Sequence, residues 1–309
     1  MEINTRTDDV TLTPEPLYDE TASYTTSIPN SNDGTTDETD VYYPVLLESN
    51  TETLPIVLFL QGALIDKSDY SNYASHVCRY GFVVVIPNRK RLITEFNIEG
   101  LLVDTGLIND VLKYLKKTEK SNRDSPINSI IDTSKLLLLG HSWGGTIGLS
   151  AINDTCTPIL CVGSFNRPDE LLAAAFFGTS LPEIGDNNAP TNNFIPIEND
   201  GLPIAIIQGT LDGVTSPNSE QKSYDLIQTP PKAFITVYGT NHYGITNEDN
   251  LERRRNVPTL EQEIATETIA RWSALFLRAT VLDDRDAKEY VFNTGNDLDP
   301  NVTVISETK

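Results

Sequence analysis

Hydrophobic and polar positions fall into two alternating rhythms along most of the chain. Leu54–Leu60 (LPIVLFL) is continuously apolar, the pattern of a short strand covered on both faces. Asp69–Tyr80 follows with Tyr70, Tyr73, Ala74, Val77 and Cys78 at helical spacing, and Gly81 is a natural stop. Phe82–Pro87 reads as the next strand, Gly100–Lys120 as a helix with a Lys-rich end, Lys135–Leu139 as a strand, Gly144–Asn153 as a helix and Ile159–Phe165 as a strand. Pro203–Gln208, Ser219–Gln228 and Ala233–Tyr238 continue as strand, helix, strand. Thr259–Arg278 predicts a long helix. Thr259 and Gln262 have capping-box spacing at its start, and Ile264, Thr268, Trp272, Leu275 and Phe276 supply its buried stripe. Alternation of this kind requires right-handed crossovers, hence an α/β fold with a mostly parallel central sheet and helices on both faces.

The ends and one internal segment depart from the rhythm. Residues 1–20 are polar and predict a flexible N-terminal segment, leaving 21–309 as a single domain. Ala22–Ile28 and Asp40–Pro44 predict two antiparallel edge strands around the polar loop Asn30–Thr39. Residues 166–202 hold four prolines and a small apolar island, Leu171–Gly178. They predict a lid-like or binding insertion, the plain alternative being a surface excursion packed on the core. The acidic tail Val281–Lys309 predicts a short helix and then a wrapping segment.

The formal charge is −21, which argues against a nucleic-acid partner and against electrostatic docking on anionic lipid. It fits a neutral or apolar small-molecule substrate, though the same charge also serves solubility. Cys78, Cys156 and Cys161 are too few and too odd for a disulfide framework. A Cys156–Cys161 bridge is conceivable, but Cys161 falls in a run read as a core strand, which favours three reduced thiols. His76, His141 and His242 are too scattered for a zinc site, so neither metal nor organic cofactor is expected. Met1 to Pro14 lacks the apolar stretch of a secretory signal, and no run is long enough to cross a bilayer. The expectation is a cytoplasmic protein, with at most transient contact at a membrane carrying its substrate.

The strongest chemical signal is Gly140-His141-Ser142-Trp143-Gly144, followed by Gly145. It fits G-x-S-x-G, with four leucines before it and a helical pattern after it. Strand, tight turn, helix is the setting in which a serine projects above the sheet, over the partial positive charge of a helix N-terminus. His141 reads as packing support beside the turn. The backbone N–H of Trp143, next after the serine, is the expected oxyanion donor, and its indole is a candidate substrate wall. In this order of motifs an acid and then a histidine must follow the serine. His242 is the one histidine beyond Ser142, on a loop between a predicted strand and the last helix. Asp212, in Gln208-Gly209-Thr210-Leu211-Asp212-Gly213, closes the preceding strand and is the expected acid. Asp-Gly is also a common turn pair, and Asp154 and Asp169 are rivals placed less closely after a strand. Leu54–Leu60 runs into Gln61-Gly62-Ala63-Leu64. There the Ala63 N–H, or failing it that of Leu64, is the second oxyanion donor. Leu64, Phe176, Phe177 and Tyr243 are the expected substrate-binding side chains.

These segments carry a resemblance. LPIVLFLQGALIDKSDYSNYASHVCRYGFVVVIPN, GHSWGG, QGTLDGVTSP and GTNHYGIT look like the chlorophyllase and dienelactone-hydrolase-like branch of the α/β hydrolases, over roughly residues 20 to 305. The likeness is greatest to its cyanobacterial chlorophyllases, with cutinase-like polyester hydrolases similar in the same regions. The resemblance implies the α/β-hydrolase fold and a serine carboxylic-ester hydrolase working through an acyl-enzyme. It also implies a large apolar ester such as the phytyl ester of chlorophyll, cleaved to chlorophyllide and phytol. A general short-chain or cutinase-like carboxylesterase is the alternative, peptidase or thioesterase chemistry shares the machinery, and a non-catalytic binding protein on the same fold is the reading from another class. Three positions depart from the plant chlorophyllases. Trp143 stands in place of Arg, Gln61 in place of a His, and Ser164-Phe165-Asn166 stands where those enzymes carry an Asp at the end of the strand after the nucleophile helix. The last departure moves the acid to Asp212, as in the cutinase-like relatives.

Overall fold

The computed structural model describes residues 13–47, 52–94, 97–121, 124–157, 159–185 and 189–309. The chain enters as an antiparallel hairpin of β1 (Thr21–Pro29) and β2 (Thr36–Pro44). It continues through β3 (Leu54–Leu60), α1 (Ser71–Arg79), β4 (Val83–Asn88), a small hairpin of β5 (Lys90–Ile93) and β6 (Ile98–Leu101), and α2 (Gly106–Ser121). Next come β7 (Ile131–His141), α3 (Trp143–Ile152), β8 (Leu171–Phe177) and a ribbon of β9 (Pro182–Ile184) and β10 (Pro190–Phe194). The last part is β11 (Ile204–Gly209), α4 (Pro217–Asp225), β12 (Lys232–Val237), α5 (Gln262–Val281), α6 (Arg285–Glu289), α7 (Gly295–Leu298) and β13 (Val302–Glu307).

Nine of these strands make one sheet in the order β1-β2-β4-β3-β7-β8-β11-β12-β13. From β4 to β12 every pairing is parallel, and the antiparallel strands lie outside them. The fully buried apolar runs of β3, β4 and β11 follow from this placement, since each has a neighbour on both sides and helices above and below. Alternate residues feed two cores. Val57, Phe59, Leu137 and Leu139 face α1 and α5, with Tyr73, Val77, Trp272 and Phe276. Ile56, Leu58, Leu136 and Leu138 face α2 and α3, with Leu107, Val111, Ile147 and Leu149.

Several expectations need correction. Ile159–Phe165 is not a strand. It lies in a loop closed by a Cys156–Cys161 disulfide, so only Cys78 is a free thiol. The apolar island is the missing strand: Leu171–Phe177 is β8, hydrogen-bonded between β7 and β11 in the middle of the sheet. The supposed insertion thus shrinks to the connection from Gly178 to Pro203, which carries the β9–β10 ribbon. The reason is packing. Ala173, Ala174 and Ala175 let β8 fit beneath both helix layers, a role for which alanine gives no strand signal. The helix predicted from Gly100 begins at Gly106, because Ile98–Leu101 pairs with Lys90–Ile93. Thr259 and Gln262 form no capping box at the start of α5: its N-cap is Glu261, and Ile264 is exposed. Residues 1–12 of the expected flexible segment lie outside the described residues. Residues 13–20 run past the end of α1, where the N–H groups of Leu17 and Tyr18 both donate to the Arg79 carbonyl.

A buried ion cluster ties the edge of the sheet to the second helix. Arg89, fully buried just after β4, donates to Asp37 of β2 at 2.9 Å and to Asp110 of α2 at 2.7 Å, and lies 3.4 Å from Asp104. Burial, more than the pull of Arg89, holds the Asp37 carboxyl above its ordinary range. Asp104 has a second cation in Arg91 at 3.7 Å, but taking away Arg89 leaves the buried Asp37 and Asp110 carboxylates without their shared partner. Arg89→Met is expected to cost about 3–5 kcal/mol of stability. Urea denaturation of the two proteins measures it, and a loss under about 1 kcal/mol would show that the cluster does not organise this edge.

Candidate active site

Ser142 sits where β7 meets α3. Its backbone is at φ 52°, ψ −119°, a left-handed conformation that a non-glycine residue adopts only when the surroundings impose it. Three hydrogen bonds hold it here. The Ser142 N–H donates to the Phe177 carbonyl at 2.9 Å, and the Ser142 carbonyl accepts from the Thr179 hydroxyl at 2.9 Å and the Thr146 N–H at 3.1 Å. Gly144 has no room for a side chain, since a Cβ there would overlap the Leu60 carbonyl oxygen. The α3 N-terminus is thereby pressed onto the end of β3, and the serine is left partly exposed above it.

Asp212 and His242 meet as the motif order anticipates. His242 Nδ1 and Asp212 Oδ2 are 2.6 Å apart, and both side chains are buried. The other carboxylate oxygen, Oδ1, accepts the N–H groups of Val214 at 2.8 Å and Thr215 at 2.9 Å. The same side chain therefore closes its own turn and pairs with His242. With Nδ1–H donated to the carboxylate, His242 keeps Nε2 as a lone pair, the form a general base needs. Its loop is held from behind. Asn241 donates to Asp249 and to the Asn256 carbonyl, and Gln262 donates from α5 to the carbonyls of Tyr243 and Thr246. Gln262 thus pins the histidine loop instead of capping its own helix. The rivals stand apart: Asp154 accepts the Arg167 N–H beyond the far end of α3, and Asp169 is exposed before β8 begins.

No hydrogen bond joins Ser142 Oγ to His242 among the described residues. The two are brought together through β8. Phe177 holds the Ser142 N–H, and a Cβ on the next residue, Gly178, would lie 3.0 Å from His242 Nδ1 and 3.2 Å from Asp212 Oδ2. Hydrogen bonds of this kind often form only in the substrate complex. Gly178 also corrects the alignment made from sequence. The strand after the nucleophile helix ends at Gly178, not near Asn166, and its space is already filled by the imidazole and carboxylate.

Ala63 and Trp143 pack against the same small apolar cluster. Their N–H groups have no hydrogen-bond partner among the described residues, whereas the Leu64 N–H is committed to the Leu101 carbonyl at 2.8 Å. That removes Leu64 as the alternative donor. Arg253 donates to the Ala63 carbonyl at 3.0 Å, so both ends of the 63–64 peptide are fixed. The cluster consists of Ile93, Leu102 and Ile159, joined by Ile184 of β9. The Trp143 indole donates to the Val103 carbonyl at 2.9 Å. This wall draws on four separate segments, one of them the disulfide loop, and no local pattern announces it. The one signal available was the alternation around Lys90–Leu101.

The other expected binding side chains divide. Leu64, half exposed, and Tyr243 share a cleft of about 350 Å³ with Ile65 and Leu251. Phe176 and Phe177 are core residues, correcting the expectation. Phe176 packs against Gly140 and Gly148 beneath α3, and Phe177 faces the opposite core beside His141. In a strand enclosed on both faces neither ring reaches the mouth. A cavity of about 630 Å³ between β1 and α2 contains none of these residues. No group of three His, Cys, Asp or Glu side chains is placed to hold a metal ion among the described residues. No helix among them is long and apolar enough to cross a membrane.

The sheet order, the helices on both faces and the strained serine turn define an α/β hydrolase. Within that superfamily, residues 23–157 match the chlorophyllase family model. A curated relative, chlorophyllase type 0 of Chenopodium album, is 25% identical over 223 residues, which is 67% of this chain and 60% of that protein. Together the two matches support the chlorophyllase-like branch and suggest an ester hydrolase. The family match covers the oxyanion loop and the serine turn but stops before Asp212 and His242.

His141, beside the serine, is completely buried. Burial first, then the neighbouring His242, holds its pKa well below the ordinary histidine value. The unfolded chain takes up this proton near pH 6.5 while the folded protein refuses it, so the unfolded state binds more protons below that pH. Stability is therefore fully present above about pH 6.5 and falls as the pH is lowered, by up to about 1.4 kcal/mol per pH unit for this group. Denaturation curves at pH 7.5 and 5.5 (conditions bracketing about 6.5) should show a smaller loss for His141→Asn than for the wild type. Equal losses would mean that His141 is not the group responsible.

Proposed function

We propose that the chain is a serine carboxylic-ester hydrolase with Ser142 as nucleophile, His242 as general base and Asp212 as the acid that orients it. The observation that carries this reading is the buried 2.6 Å Asp212–His242 pair beside the strained Ser142 turn. His242 Nε2 takes the Ser142 proton as Oγ attacks the ester carbonyl, and Asp212 stabilises the imidazolium that results. The N–H groups of Trp143 and Ala63, free of other partners, receive the oxyanion. The imidazolium gives its proton to the departing alcohol. Water, activated by the same histidine, then releases the acid from Ser142.

The substrate is a large apolar ester, with the phytyl ester of chlorophyll as the first choice. Support comes from the two chlorophyllase matches, the strongly acidic chain and the apolar wall beside Ala63 and Trp143. The protein works as a single domain in the cytoplasm and meets a membrane only transiently to reach its substrate. One observation favours a short-chain or cutinase-like esterase instead. The Trp143 indole fills the wall directly after the nucleophile, where the plant enzymes carry Arg, and narrows the room for a bulky acyl group.

A fluorophosphonate probe should label the wild type at Ser142. Ser142→Ala should lose labelling and ester turnover, and Asp212→Asn should retain the fold while kcat falls on the order of 10⁴. An active Ser142→Ala protein ends the proposal. Rates on chlorophyll and on p-nitrophenyl butyrate separate the substrates: turnover of the small ester alone rejects chlorophyll.

A further inference from the structure

Tyr70 and His141 are both fully buried and belong to no step of the mechanism above, yet together they touch every part of the site. The Gly62 N–H, one residue before the oxyanion donor Ala63, donates to the Tyr70 phenol oxygen at 3.0 Å. That oxygen lies 2.9 Å from His141 Nδ1. Gly62 rests directly on the imidazole, since a Cβ there would be 2.8 Å from Nδ1. The His141 ring lies against the His242 ring, tilted by 48° with centroids 4.7 Å apart, and its own backbone leads into Ser142. Oxyanion loop, serine turn and base loop therefore meet on one buried pair of rings.

An N–H can only donate, so Gly62 donates to Tyr70; when the phenol gives its own proton to His141 Nδ1, the oxygen uses both capacities. The imidazole is then neutral with its proton on Nε2. That atom is buried with no hydrogen-bond partner among the described residues. A charged ring would carry a proton on Nδ1 as well, and the phenol proton would be left facing another donor. The chain Gly62 → Tyr70 → His141 holds only while His141 stays neutral, which its burial favours.

We propose that the Tyr70–His141 hydrogen bond is a positioning device that sets the oxyanion loop relative to Ser142 and His242. It rests on the esterase reading. Neither side chain touches the reacting atoms. Their effect is on where the Ala63 N–H stands when negative charge develops on the carbonyl oxygen, so the loss on breaking the pair falls on the transition state and not on substrate binding.

The test is steady-state kinetics on an ester that the wild type hydrolyses, with binding of a trifluoromethyl ketone analogue and thermal unfolding of each variant. Tyr70→Phe keeps the ring but removes the bridging oxygen. It is expected to lower kcat by about 10- to 100-fold with KM within about twofold, and to weaken the ketone in step with kcat. His141→Phe should do the same. His141→Asn restores an acceptor near the Nδ1 position and should recover most of the rate lost in His141→Phe. That pair keeps the inference testable if Tyr70→Phe fails to fold. A folded Tyr70→Phe protein with unchanged kcat and ketone affinity overturns the inference, as does a change confined to KM, or His141→Asn no faster than His141→Phe. A wild type inert to both ester and fluorophosphonate is a different failure: it sinks the esterase reading itself.

Discussion

The close approach of the α3 N-terminus to the end of β3 is the constraint on which the site depends. Gly144 lies so near the Leu60 carbonyl that no side chain is tolerated there. The contact is between backbones, made at the centre of a sheet whose neighbouring strands are buried on both faces. It brings the residues after β3, Gly62 and Ala63, beside the residues that begin α3, Ser142 and Trp143. Two N–H groups from different parts of the chain are thereby left without partners among the described residues, a costly arrangement unless something accepts from them. The cost is tolerated at functional sites, and the left-handed Ser142 is a second strain in the same place.

Around this contact the protein is over-determined. The serine turn is tied to β8 through Phe177 and to Thr179 just beyond it, the loop after β3 to Leu101 and Arg253, and the histidine loop to α5 through Gln262. Asp212 has both carboxylate oxygens engaged. Such bracing holds the group in one arrangement, as the proposed acyl transfer would require. The Arg89 cluster acts at a greater distance. By joining β2, the end of β4 and the start of α2, it fixes the segment from which β5 and β6 project. Those strands carry Ile93 and lead into Leu102, two of the three buried members of the apolar wall.

Where sequence and structure part company, the cause is tertiary context. β8 escaped notice because its alanines have no strand preference and take their place only between two helix layers. Ile159–Phe165 has the apolar character of a strand but is turned into a loop by the disulfide and by a left-handed Ile159. Phe176 and Phe177 suggested a lining because they seemed to lie in an insertion. Once β8 is a central strand, its alternating side chains must point into the two cores. The Thr259–Gln262 spacing suits a helix cap, but the carbonyls of the histidine loop outcompete that local bond for the Gln262 side chain.

The chain's own order of residues determined the α/β class, most of the strands and helices, and the succession Ser142, Asp212, His242. These are legible because strand and helix periodicity and the G-x-S-x-G turn are local, and each is written in neighbouring residues. What only the tertiary structure decided is which backbone N–H groups stay free, which side chains wall the cleft, and that Tyr70, His141 and Gly62 form one chain of hydrogen bonds. Among those contacts, Tyr70–His141 and Ala63–Arg253 join residues 71 and 190 positions apart. Pairings across such distances depend on how sheet and helices close on one another, and that closure leaves no periodic mark in the sequence.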